Sequence, residues 1–183
     1  MLLLPRTMLL LSRFKRAKSG ATVIEFAMLV LPFFVMLYAI FDVSLIFFAT
    51  TTLQNGILAA AREIRTGQAQ AMNMTSTQFR TLVCNEINMF LGCDARLGLD
   101  VRKFSGFSNV ALPTALDGNG NLTGNMKFDP GGPGDVVVVR AFYTWPMLTP
   151  IAGAQFVNMA GGHRLLIASM AFRNEPFGSI LNN

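Results

Sequence analysis

The sequence predicts an α+β fold: one very long N-terminal helix, a second shorter helix and a small antiparallel β-sheet head. Three observations carry this. Phe26 to Ala49 is an apolar run with Asp42 as its only charge. Helical apolar periodicity continues beyond that run to Ile64, and β-type patterning takes over from Leu97 onward.

The length of 183 residues accommodates one modest domain plus an anchor. Hydrophobic content of 52% against 14% charged residues excludes disorder and favours a membrane protein. The net charge of +5 does not mark a nucleic-acid binder. It is carried entirely by Arg6, Arg13, Lys15, Arg16 and Lys18 in a leader, residues 1–20, that has no acid, and the remainder of the chain is neutral. Cations placed before an apolar segment keep the N-terminus cytoplasmic and send the rest of the chain to the extracytoplasmic side.

Residues 21–50 read as a transmembrane helix, longer than the ~20 residues a bilayer requires. A cleaved secretory signal has an apolar core of about 7–15 residues followed by a small-x-small site, and this run is too long for one. Pro32 is a helix break about one-third of the way along; it is either a harmless kink or a local melting point for packing. Leu53, Ile57, Ala60, Ala61 and Ile64 recur at steps of three and four, so residues 51–67 extend the helix as a stalk. Gly67 supplies the stop. From Ala21 to Thr66 such a helix is on the order of 69 Å long, too long to lie wholly in a membrane or wholly in a globule.

Residues 68–183 form the head. Thr75 followed by Gln78 is a capping-box pattern opening a helix that runs to Leu91 and ends at Gly92. Leu97, Leu99 and Val101 alternate with polar neighbours, which predicts a half-buried strand. Four successive valines place the strand from Val136 to Tyr143 at the centre of the sheet, and Arg164 to Arg173 is the last strand. Between them, residues 117–134 are dominated by turn formers. Cys84 and Cys93 are the only cysteines and close a disulfide in an oxidising compartment; two reduced, buried thiols are the alternative.

Catalytic and metal sites have little support. His163 is the only histidine, no nucleophile-elbow motif surrounds any serine, and two cysteines with one distant histidine do not supply four zinc ligands. Asp117-Gly118-Asn119-Gly120-Asn121 resembles the start of a calcium loop, but Leu122 stands where that loop needs glycine. A tight hairpin turn accounts for it. No cofactor, small-molecule substrate or nucleic acid is implied.

The junction Ser19-Gly20-Ala21-Thr22-Val23-Ile24-Glu25-Phe26 is the most informative stretch. An ionisable group at membrane depth costs roughly 2.5–3.5 kcal/mol on insertion scales, so Glu25 needs a partner or a purpose. Cleavage after Gly20 would free an amine on Ala21 that could pair with Glu25 of the same chain or of a neighbour. Reaching for the headgroups is the simpler role. Asp42 lies roughly 26 Å further along an ideal helix, near the outer headgroup layer, where interfacial solvation or a helix-to-helix contact would satisfy it.

A basic leader, a glycine, a glutamate at the fifth position after it and an apolar helix together resemble a type IV prepilin. Gly20-Ala21-Thr22-Val23-Ile24-Glu25-Phe26-Ala27, Leu31-Pro32 and Ala59-Ala60-Ala61-Arg62-Glu63-Ile64-Arg65-Thr66-Gly67 are similar to the TadE-like (TadE/TadF) family of tight-adherence pilus assembly proteins. Phe142-Tyr143 and the closing Arg173-Asn174-Glu175-Pro176 fit that family's ending. The resemblance implies a pilin-like head and a pseudopilin cut between Gly20 and Ala21 by a prepilin peptidase, with Glu25 as the assembly glutamate. It implies other pilins or pseudopilins and an inner-membrane assembly platform as partners, and a single-pass inner-membrane location with a periplasmic head. The apolar leucine triplets of the leader leave Met1 or Met8 as the start. A general secretion (type II) pseudopilin and a membrane-anchored periplasmic binding protein are the alternatives.

Overall fold

The computed structural model describes residues 19–147 and 156–179, so all but the last two residues of the leader expected over residues 1–20 lie outside the described residues. The chain divides into two compact units, Met1–Phe41 and Asp42–Asn183. Helix α1, Ser19–Arg65, is shared between them and its helical backbone continues through Pro32.

In the first unit the described residues are helical, and nearly every side chain is exposed. Phe26, Met28, Leu31, Phe34 and Met36 point outward around the full circumference. A helix that is apolar all round is made for an apolar surround. The helix over Gly20–Arg65 is long and apolar enough to cross a membrane by length and composition.

The second unit takes α1 from Asp42. Its expected stripe forms: Leu53, Ile57, Ala60, Ala61 and Ile64 are all buried in one core. Just before it, three consecutive threonines donate their hydroxyls to carbonyls one turn back: Thr50 to Ile46, Thr51 to Phe47 and Thr52 to Phe48, at 2.8–2.9 Å. These polar groups are thereby satisfied inside the helix itself. Gly67 ends α1 at φ 84°, with its N–H donated to the Ile64 carbonyl. A Cβ here would run into the ring of Phe177, so both backbone conformation and space demand glycine.

A single helical turn, α2 (Gln68–Ala71), leads to α3 (Ser76–Ile87). The capping box forms as the sequence requires: Gln78 N–H donates to Thr75 Oγ1 at 3.3 Å and Thr75 N–H to Gln78 Oε1 at 2.8 Å. Phe79, Val83 and Ile87 face the core. Gly56 lets α3 approach α1, since a Cβ there would fall against Ile87 Cγ2.

Helix α3 stops at Ile87 rather than Leu91. The Cys84–Cys93 disulfide, with its Cα atoms 5.7 Å apart, explains why. A helix continued to Leu91 would carry the chain about 10 Å from Cys84, with only Gly92 left to bring Cys93 back. The chain turns early instead, with the N–H groups of Phe90 and Leu91 donated to the Ile87 carbonyl.

The sheet is antiparallel with strand order β1 (Leu97–Phe104), β2 (Val136–Pro146), β3 (His163–Arg173), which puts the valine strand at the centre. Tyr143 sits opposite Leu166, Ala141 opposite Ala168 and Val137 opposite Phe172. These residues share one face and pack with Val139, Val101 and the two longer helices into the core.

The other face departs from simple polar-out alternation. Asp100 is opposite Arg140 in the β1–β2 register and is only 1% exposed. Arg140 Nη2 lies 2.6 Å from Asp100 Oδ2, while Arg102 Nε and the Lys127 N–H each reach Oδ1 at 2.9 Å. The same two arginines hold the loop that covers them: Arg140 Nη1 donates to the Pro113 carbonyl at 2.9 Å and Arg102 Nη2 to the Asn125 carbonyl at 2.6 Å. Burial by itself would raise the Asp100 carboxyl. The hydrogen bonds from Arg102, Arg140 and Lys127 outweigh it and hold the group below the ordinary carboxylate range.

Asp100→Asn should destabilise the full-length protein in detergent by about 3 kcal/mol at neutral pH, because it leaves Arg140 buried without its counter-charge. The folded carboxyl is depressed relative to its unfolded value of about 3.9, so its stabilisation is full above that pH and fades as pH falls through the folded value. Denaturant melts at stepped pH should therefore find the gap between wild type and D100N narrowing in acid. Cys84→Ser should cost about 2–3 kcal/mol by the same assay. A titre of two free thiols in the native wild type would contradict the bridge.

Candidate processing and assembly site

The first turns of α1 carry the junction residues. Gly20, Ala21 and Glu25 are all helical and exposed. Glycine in a helix costs about 1 kcal/mol relative to alanine, and a side chain here would meet open space: nothing lies within 4 Å of the position of a Gly20 Cβ. Among the described residues no packing or backbone demand explains this glycine, in contrast to Gly56 and Gly67.

Ala21 and Glu25 are separated by one helical turn and so lie on the same face, with about 6 Å of axial rise between them. Helical side chains lean toward the N-terminus, so the Glu25 carboxylate is directed back toward residue 21. Among the described residues of one copy, Glu25 has no ion-pair partner. The arrangement can bind a cation at the end of the helix, and an α-amine at Ala21 would be one.

The other residues singled out by sequence are scattered. Asp42 is 5% exposed and buried within the second unit, rather than solvated at a headgroup layer. His163 opens β3 with its Nδ1 3.2 Å from the Ala160 carbonyl. Asp117 closes a tight turn, accepting the N–H groups of Asn119 and Asn121 at 2.9 and 2.8 Å, with Leu116 bridged to Leu122. A groove of 530 Å³ beside α3 and β1 has Arg80 and Lys127 as its ionisable lining. Arg80 is engaged by the Leu97 and Asp94 carbonyls, at 2.8 and 2.5 Å.

The Asp100–Arg102–Arg140 cluster was not anticipated from sequence. Its signal is the lone arginine closing the Val136-Val137-Val138-Val139 run. A charge inside a central strand requires a buried counter-charge, and Asp-x-Arg in the neighbouring strand supplies it.

These features define a class: a small α+β head carried on a long helix, with a membrane-length apolar segment and an acid near its start. More particularly, the family model described as TadE-like protein matches residues 20–62. The match opens on Gly20 and runs through the apolar segment into the buried stripe of α1. No curated protein and no solved structure matches the chain.

Proposed function

We infer that this protein is a pseudopilin-type structural component of tight-adherence (Flp-type) pilus assembly. On this reading a prepilin peptidase cuts it between Gly20 and Ala21, and it supports adhesion without itself being an enzyme. The observation that carries the reading is a helical, exposed glycine with no internal reason to be glycine, placed where the family match begins and one turn plus one residue before a lipid-facing acid. The residue boundaries are then leader 1–20, membrane helix 21–50, stalk 51–67 and head 68–183.

The mechanism is electrostatic. While the leader is attached, its cations keep the N-terminus in the cytoplasm, and residues 21–50 cross the inner membrane with the head in the periplasm. Cleavage removes those cations and creates one new charge, the Ala21 amine. Glu25 of the same or a neighbouring chain neutralises it, which offsets the cost of holding either charge in lipid and fixes the axial offset between packed helices. Pro32 lacks a backbone donor and supplies a weak point at which the helix can bend as it packs among other pilins or pseudopilins on the assembly platform.

N-terminal sequencing of the mature membrane protein should begin at Ala21; a methionine start in a peptidase-competent host would defeat the reading. Gly20→Ala should leave the head's melting behaviour within about 0.5 kcal/mol of wild type, as expected at an open surface site, yet accumulate an uncleaved, heavier band. Glu25→Ala should remain resistant to alkaline extraction and still lose piliation, because insertion depends on the apolar run and assembly on the carboxylate. Normal piliation in that variant would refute the pairing.

A further inference from the structure

The end of the membrane segment meets an aromatic and sulfur-bearing surface on the head. Phe47 and Phe48 are the last large residues of the apolar run, and both are more than half exposed. The Phe90 ring packs edge-on against Phe48 with centroids 4.7 Å apart. Trp145, at the far end of β2, stacks on Phe90 at 6.0 Å, and Tyr143 lies 6.5 Å beyond it. Met89, beside Phe90, is fully exposed. The turn that presents Met89 and Phe90 is fixed at its two sides by the Cys84–Cys93 bridge.

In an ordinary soluble head, an uncovered Met-Phe turn beside a tryptophan is a liability. Here its position supplies the occupant. Phe48 belongs to the run that leaves the bilayer, and a ring 4.7 Å from it must lie at nearly the same depth. Tryptophan and other amphipathic aromatics concentrate at that level, with the ring body in acyl chain and its polar atom among headgroups. The three threonines close behind Phe48 bond inward to their own helix, so this stretch enters an apolar layer without stranding a hydroxyl.

We propose that Met89, Phe90 and Trp145 form a wedge that inserts into the outer face of the bilayer around α1. The head is thereby seated on the membrane at a second point, and its rotation about the helix axis is restricted. The wedge rests on the reading that α1 spans a membrane.

Trp145 is the only tryptophan in the chain and reports on the wedge directly. The full-length protein is reconstituted in vesicles whose lipids carry bromine either near the headgroup or near the chain end. Trp145 emission should be lost preferentially to the shallow bromine. The double variant Met89→Asp, Phe90→Ser should lose that quenching while resisting alkaline extraction as wild type does. A chain that resists extraction but whose Trp145 is quenched by neither lipid overturns the wedge alone. In that case, crosslinking through a photo-reactive residue at position 89 to a second copy would assign the surface to a protein contact instead. A wild-type chain that washes out of the vesicles overturns the spanning reading and the wedge with it.

Discussion

One unbroken helix has to serve two solvents. The first part of α1 presents apolar side chains around its whole circumference, and the later part confines them to a stripe of Leu53, Ile57, Ala60, Ala61 and Ile64. The head exists because that stripe must be covered. Helix α3 and the sheet's valine face close over it, Gly56 allows the approach of α3, and Gly67 turns the chain back once the stripe is used up. Burial of this kind is worth about 25 cal/mol per Å² of apolar surface, which makes it the dominant favourable contribution in so small a head. The arginine–aspartate cluster serves a different purpose. It fastens a long, turn-rich loop to the opposite face.

Features encoded locally were legible in the sequence. The capping box at Thr75, the left-handed glycine at residue 67, the helical stripe and the central placement of the valine strand all depend on residues within a few positions of one another. The end of α3 was not legible, since the periodicity of Phe79, Leu82, Val83, Ile87, Phe90 and Leu91 continues past the point where the disulfide requires a turn. A covalent constraint overrode a weak local preference. Asp100 escaped for a related reason. Alternation in β1 marks it as outward-facing, and only the register with β2 brings Arg140 against it. The burial of Asp42 was hidden because an ideal helix gives depth along its axis but says nothing about what packs around it.

Among the described residues, the fold accounts for two glycines of α1 and its end but not for the glycine of the junction. Gly67 is accounted for by its φ and by Phe177, and Gly56 by Ile87. Gly20 meets neither kind of demand among the described residues. The family match has the same distribution: it covers the membrane segment and the start of the buried stripe, and ends before the head.

The threonine triplet has a consequence of its own. Because Thr50, Thr51 and Thr52 satisfy their hydroxyls on carbonyls of their own helix, that collar gains little from water and forfeits little on leaving it. A subunit drawn upward or pressed downward by about one turn therefore meets almost no toll at this level. Resistance to axial travel is left to the apolar side chains on either side of the collar.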